Sequence, residues 1–257
     1  MLGATGMIAQ LFVPLLAGHP WFEVVVVAAS PRSAGKTYQQ AVAGRWKMAD
    51  PIPAAVKDLT VLDVSQIDEI ASQVDFVFSA VNMSKAAIKK IEEEYAKTET
   101  PVVSNNSAHR WTPDVPMIIP EINPNHSEVI KFQRQRLGTQ RGFIAVKPNC
   151  SIQSYAPALS AWMKFEPTQV VATTYQAISG AGKNFDDAPE ILNNVIPYIA
   201  GEEEKSEKER LKIRGKVDQQ KGEIIPVAAP VITSKCLRVP VLYGHTAADF
   251  VNFKQKP

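Results

Sequence analysis

Gly3-Ala4-Thr5-Gly6-Met7-Ile8-Ala9 is the stretch on which the fold turns. It fits G-x-x-G-x-x-G/A, a pattern in which the first glycine allows a tight turn and the second lets backbone approach a pyrophosphate. The small third residue allows close helix–strand packing. The spacing predicts a glycine turn over 3–6 and a helix over Met7–Gly18, whose first N–H groups and positive dipole end face any phosphate. Phe22–Ala29 follows as an apolar, largely β-branched run, which suits a strand buried on both faces. Strands are also predicted at Leu59–Leu62, Asp75–Ala80 and Pro101–Ser104, with helices at Ile67–Gln73 and Ser84–Lys97. Strands alternating with helices predict an α/β fold, a Rossmann-like, doubly wound parallel sheet.

After about Ala145 the pattern changes. A helix is predicted over Cys150–Met163 and a charged helix over Gly201–Gly215. Long β-rich runs lie at Gln169–Ile178, Ile224–Val231, Leu237–Tyr243 and Ala247–Phe253. This predicts a second, α+β domain with an antiparallel or mixed sheet covered on one face. The expected division is 1–147 and 148–257. The 257 residues can hold one large or two modest domains and bury a sizeable core. Hydrophobic residues make up 45% and charged residues 21%, which argues against disorder. A net charge of +2 gives no cause to expect nucleic acid or an anionic membrane as partner. The longest apolar runs, such as Leu11–Gly18, fall short of the roughly 18 residues a membrane span needs. Two cysteines, Cys150 and Cys236, make no disulfide framework, and a cytoplasmic setting follows.

Where the second predicted strand ends, a site for NAD usually carries an acidic residue to hold the ribose 2′-OH. Here the chain reads Ala28-Ala29-Ser30-Pro31-Arg32-Ser33-Ala34-Gly35-Lys36, with hydroxyls and cations but no carboxylate. That favours NADP, with its 2′-phosphate, over NAD; a solvated basic loop is the alternative.

Pro148-Asn149-Cys150-Ser151 stands where the chain enters a helix, a position that stabilises a thiolate. Cys236, in an apolar strand, reads instead as a buried small hydrophobe. Of four histidines, His19 and His126 read as surface turn residues, while His245 lies in a short break between strands that can aim it into a cleft. Glu209 and Lys212 share one face of their helix, although a charged helix of this kind ordinarily serves only as a solvated surface, and Glu202 to Lys208 are read that way.

Four motifs occur in order: Gly-Ala-Thr-Gly at 3–6, Pro-Asn-Cys-Ser at 148–151, Thr-Tyr-Gln-Ala-Ile-Ser-Gly-Ala-Gly at 174–182, and Arg-Val-Pro-Val at 238–241 with Gly244-His245 after it. Together they resemble the aspartate-β-semialdehyde dehydrogenases, in particular the archaeal and fungal-type branch, over the whole chain. The resemblance implies a glyceraldehyde-3-phosphate-dehydrogenase-like pairing of a Rossmann domain with a catalytic and dimerisation domain. It implies reduction of L-aspartyl 4-phosphate by NADPH to the semialdehyde, in lysine, threonine and methionine biosynthesis. Cys150 would be the thioester-forming nucleophile, His245 the acid/base, and Gln176 the group orienting the acyl-enzyme. Arg238 would grip the substrate carboxylate, Glu209 its ammonium, and Lys212, Arg110 and Asn149 its phosphate. Cofactor contacts are implied for Gly3, Thr5, Gly6, Met7, Ile8, Ser30, Arg32, Ser33, Ser79, Ala80, Ser179 and Gly180. No metal is implied, and the expected assembly is a homodimer or homotetramer.

The family's first strand has several apolar residues before its glycine motif, where this chain has only Met1 and Leu2. Its members also continue well beyond the position of Pro257. The resemblance therefore implies a chain cut at both ends, with reduced stability and cofactor affinity. N-acetyl-γ-glutamyl-phosphate reductase and malonyl-CoA reductase share the architecture and remain alternatives. A non-catalytic nucleotide-binding protein is the alternative outside enzymes.

Overall fold

A computed structural model describes residues 1–257. The chain forms two compact units, Met1–Val115 with Ile130–Val146, and Pro116–Val129 with Lys147–Pro257. A single cut at 147 does not reproduce this partition, because 116–129 packs with the second unit. His126 is one tie: its Nε2 lies 2.9 Å from the Gly215 carbonyl and its Nδ1 2.9 Å from Asn123 Nδ2. The reading of His126 as a surface residue is thus corrected; it is 1% exposed.

The first unit contains α1 (Met7–Leu16), β1 (Val27–Ala29), α2 (Tyr38–Ala41), α3 (Ala54–Lys57), β2 (Val61–Asp63), α4 (Ile67–Ala71), β3 (Val77–Ser79), α5 (Lys85–Lys97), β4 (Val102–Ser104), α6 (Ile130–Leu137) and β5 (Ile144–Val146). All strand pairings are parallel: β1 with β2, and β3 with β4 with β5. Leu2 joins the two groups through parallel bridges to Ala28 and Ser79. Its N–H donates to Phe78 O at 2.8 Å and its carbonyl accepts from Ala80 N at 3.0 Å. The predicted strand Phe22–Ala29 is regular only over its last three residues. Met1 and Leu2 offer Val26–Ala28 a partner over a short span, and a strand is defined by its ladder. Helix α5 begins as read, with the Ser84 hydroxyl capping Ala87 N–H at 3.3 Å.

The second unit contains α7 (Cys150–Gln153), α8 (Ala156–Ala161), β6 (Pro167–Gln176), α9 (Glu202–Ile213), β7 (Lys216–Asp218), β8 (Glu223–Ile225), β9 (Val231–Arg238) and β10 (Thr246–Phe253). Its main sheet runs β10-β6-β9, antiparallel then parallel, so it is mixed. The single helix predicted over Cys150–Met163 is interrupted at Ser154-Tyr155, and α8 restarts with a proline in its first turn. Pro226 and Pro230 likewise divide the run read as one strand: Glu223–Ile225 pairs with β7, while Val231 opens β9. Alternation on β6 and β9 buries Val170, Ala172, Thr174 and Gln176 on one face, with Ile232, Ser234, Cys236 and Arg238 beside them. Tyr155 and Leu159 pack against the apolar end of this face. Its other end is polar, and Gln176 is paired in register with Arg238 there.

Candidate active site

The polar end of that sheet meets the start of α7 and the loop before β10. Cys150, half-buried, has its Sγ 3.2 Å from His245 Nε2. The other ring nitrogen, Nδ1, accepts from Ala177 N–H at 3.0 Å. That bond assigns the proton of the neutral ring to Nε2, where it points at the sulfur. Burial first, then the Arg238 cation, hold His245 below the ordinary histidine range, so the ring is neutral near pH 7. A cavity of about 320 Å³ opens beside the pair, lined by Cys150, Ser154, Gly244 and His245.

Gly180 permits this approach. A Cβ there would stand 2.9 Å from Arg238 Nη1 and 3.0 Å from His245 Cε1. Ser179 and Gly180, implied as cofactor contacts, therefore lie beside the cysteine–histidine pair in the second unit. Arg238 is 8% exposed and donates from Nη1 to the Ala177 carbonyl at 2.7 Å. Burial lowers its pKa, partly offset by the Cys150 sulfur and the Glu202 carboxylate.

Asn149 caps α7. Its Oδ1 accepts from Ser151 N at 2.9 Å and Ser151 Oγ at 2.6 Å, and its own N–H donates to Glu209 Oε2 at 2.7 Å. One expectation changes here. Helix α7 is four residues long, so its dipole is that of one turn. The Ser151 N–H is committed to Asn149 and is not left over for a substrate oxyanion.

Helix α9 is not a solvated surface throughout. Glu209 and Lys212 are 1% and 2% exposed. Glu202, read as part of the solvated stretch, has a side chain only 12% exposed. Its Oε1 accepts from Lys205 Nζ at 2.7 Å and from Asn149 Nδ2 at 3.1 Å, and the Gln176 amide hydrogen-bonds to the same carboxylate. Three successive glutamates at 202–204 concealed this, since their order alone does not say which one turns inward.

In the first unit, Gly3 (φ +74°) leads into α1, and a Cβ on it would meet Ala80 O at 2.5 Å. A cavity of about 250 Å³ is lined there by residues including Gly3, Thr5, Gly6, Ser30, Arg32 and Ala80. Met7 and Ile8 form the first turn of α1. Ser33 is 4% exposed within a turn in which its N–H donates to Ser30 O at 2.9 Å. The Ser79 hydroxyl is committed to buried Glu92 Oε1 at 2.7 Å, so its side chain serves the fold. Arg45, missed in the sequence, also lines the cavity, and its guanidinium donates to Ala41 O. Two arginines, Arg32 and Arg45, and no carboxylate among the residues lining this cavity fit a dinucleotide carrying a 2′-phosphate. Arg110 belongs to this unit, is 5% exposed, and donates to Asn105 O at 3.3 Å.

A glycine-turn dinucleotide fold followed by a thiol–imidazole pair on a mixed sheet defines a two-domain, cysteine-dependent aldehyde dehydrogenase class. The comparisons agree with it. Residues 1–130 match the family model "Semialdehyde dehydrogenase, NAD binding domain", and 156–257 match "Semialdehyde dehydrogenase, dimerisation domain". The aspartate-semialdehyde dehydrogenase of Methanothermobacter thermautotrophicus is 40% identical over 98% of this chain and 70% of its own length. That of Aspergillus fumigatus is 38% identical over 100% and 70%. The crystal structure of the Candida albicans enzyme with NADP superposes with a TM-score of 0.85 at 34% identity, covering 100% of this chain and 71% of that one. The chain belongs to the aspartate-semialdehyde dehydrogenase family.

Proposed function

We propose that this chain carries out the NADPH-dependent reductive dephosphorylation of L-aspartyl 4-phosphate to L-aspartate 4-semialdehyde, with Cys150 as the nucleophile. The observation that carries this is the 3.2 Å approach of His245 Nε2 to Cys150 Sγ. The Cys150 thiolate attacks the acyl carbon and a carbon–sulfur bond forms. The carbon–oxygen bond to phosphate then breaks, which leaves a thioester. His245 Nε2–H first stabilises the thiolate and then donates toward the oxygen that gains charge. Arg238 suits the substrate carboxylate, a planar anion that a guanidinium grips with parallel hydrogen bonds. Gln176 orients the acyl group, Glu209 faces the ammonium, and Lys212, Arg110 and Asn149 serve the phosphate. NADPH, when bound, supplies the hydride that turns the thioester into the aldehyde and releases the thiolate. Gly3, Thr5, Gly6 and the first turn of α1 would hold its pyrophosphate, with Ser30, Arg32, Ser33 and Arg45 near its 2′-phosphate.

The matched dimerisation domain supports self-association, and a homodimer is the form proposed. The outward face of the sheet supports it: Val171, Tyr175, Val231 and Phe250 are all exposed there. The setting proposed is the cytoplasm, in keeping with two unpaired cysteines. No helix is long and apolar enough to cross a membrane.

Protein mixed with NADP⁺, phosphate and aspartate semialdehyde tests the reaction in reverse. NADPH absorbance should rise, and should fail to rise with Cys150→Ala. Signal with the N-acetylated glutamate homologue alone would overturn the substrate assignment.

A further inference from the structure

Glu202 opens α9, where any carboxylate would be favoured by the helix dipole. The dipole alone does not account for its surroundings. Glu204, on the same turn, is exposed, and Glu203 pairs with Lys235 at 3.4 Å. Of these three, only Glu202 turns toward Cys150 and its neighbours. There it receives the Asn149 Nδ2 amide, the Gln176 amide and the Lys205 ammonium. Asn149 immediately precedes the nucleophile, and its Oδ1 fixes Ser151 on the other side. Gln176 also donates to the Thr174 hydroxyl at 3.3 Å and meets the Cys236 thiol beside it. A single carboxylate therefore anchors two amides drawn from the α7 cap and the end of β6.

We propose that Glu202 is a positioning residue: its carboxylate holds the Asn149 and Gln176 amides in working orientation around Cys150 and sets the charge that His245 faces. The effect on His245 follows from its neighbours. The cations facing it are Arg238 on β9 and Lys147 ahead of α7; the groups that carry negative charge toward it are Glu202 on α9 and, when ionised, the Cys150 sulfur 3.2 Å away. Both cations disfavour the imidazolium, and Glu202 favours it. Burial opposes ionisation of Glu202 itself, but the hydrogen bonds from Lys205, Asn149 and Gln176 outweigh that and hold its carboxyl below the usual range. It stays charged across the neutral range. The proposal rests on the reading of Cys150 and His245 as the reacting pair.

The test uses the intact 257-residue protein with Glu202→Gln, Glu202→Asp and, as a control on an exposed side chain, Glu204→Gln. The His245 C2–H resonance, assigned by its loss in His245→Asn, is titrated by NMR without substrate. In Glu202→Gln the His245 midpoint should move to lower pH, because an anion that favours the imidazolium is lost while Arg238 and Lys147 remain. The kcat should fall about ten- to hundredfold with KM for aspartate semialdehyde changed less than about threefold, because Glu202 touches the orienting groups and not the substrate. Glu202→Asp keeps the charge at shorter reach, so the midpoint should stay near wild type while kcat recovers in part. Glu204→Gln should change neither. An unmoved midpoint, or a kcat within about twofold of wild type, in folded Glu202→Gln overturns the proposal. Should Glu202→Gln fail to fold, a wild-type kcat in Glu202→Asp overturns it equally. The titration needs no turnover. A shifted midpoint in a wild-type protein inert toward aspartate semialdehyde would therefore count against the proposed reaction and leave the role of Glu202 standing.

Discussion

In the first unit the nucleotide cavity is lined largely by small residues from a few short stretches, one of them the glycine turn that supplies Gly3, Thr5 and Gly6 within four positions. In the second unit the groups around the sulfur come from the α7 cap, the end of β6, the start of α9, the end of β9 and the loop before β10. The reacting pair itself is 95 positions apart. The first site depends on backbone shape, which glycine spacing encodes directly. The second depends on side-chain chemistry, which tertiary packing gathers. Substitutions should therefore fail differently: in stability and cofactor binding in one unit, in turnover with the fold intact in the other.

The largest effect expected is on chemistry. Cys150→Ala should lower turnover by at least about 10⁴-fold while the melting temperature changes little, measured by NADPH absorbance and calorimetry. His245→Asn should cost about 10²–10⁴-fold in kcat. Gly3→Ala tests the other side of the comparison. It demands a left-handed backbone and places a methyl 2.5 Å from Ala80 O. It should destabilise the protein by about 2–4 kcal/mol and weaken NADPH binding together. If turnover per folded molecule at saturating NADPH fell while stability held, the distinction between the units would be wrong. Gly180→Ala should do the reverse. Its new Cβ meets the mobile ends of Arg238 and His245, so kcat/KM should drop about tenfold with a melting temperature near wild type.

The smallest effect is the pH dependence of stability. Burial is the leading cause that lowers His109, His126 and His245 from the ordinary value of 6.5. The unfolded chain takes up protons near that value, whereas the folded chain resists until lower pH. Stability from these groups is therefore complete above about pH 6.5 and is lost as pH falls through the lowered folded values. The melting temperature should drop by a few degrees between about pH 7 and pH 5.5. A rise over that interval would contradict the assignment.

The parts legible in the sequence were those written in local pattern. The glycine turn, the capped start of α5, the basic end of β1 and the Pro-Asn-Cys-Ser entry all depend on a few consecutive residues. Partners supplied from far away were not legible. The apolar run before Val27 reads as a strand, yet its regularity depends on what Met1 and Leu2 offer it. His126 sits in a polar loop sequence and is buried because the Gly215 carbonyl meets it. Glu202 is indistinguishable by composition from Glu203 and Glu204. It acquires its partners only when α9 packs so that its first turn meets the α7 cap and the end of β6. Prolines were the punctuation that strand and helix periodicity overlooked, at Pro157, Pro226 and Pro230.

The central claim is that Cys150 carries the aspartyl group. Its most direct test is intact-protein and peptide mass spectrometry after mixing the protein with aspartate semialdehyde and NADP⁺ without phosphate. The account predicts one aspartyl group in thioester linkage on the peptide containing Cys150, released by adding phosphate and absent from Cys150→Ala. NADPH formed in the same mixture with no adduct at Cys150, or with the adduct on another residue, would contradict it.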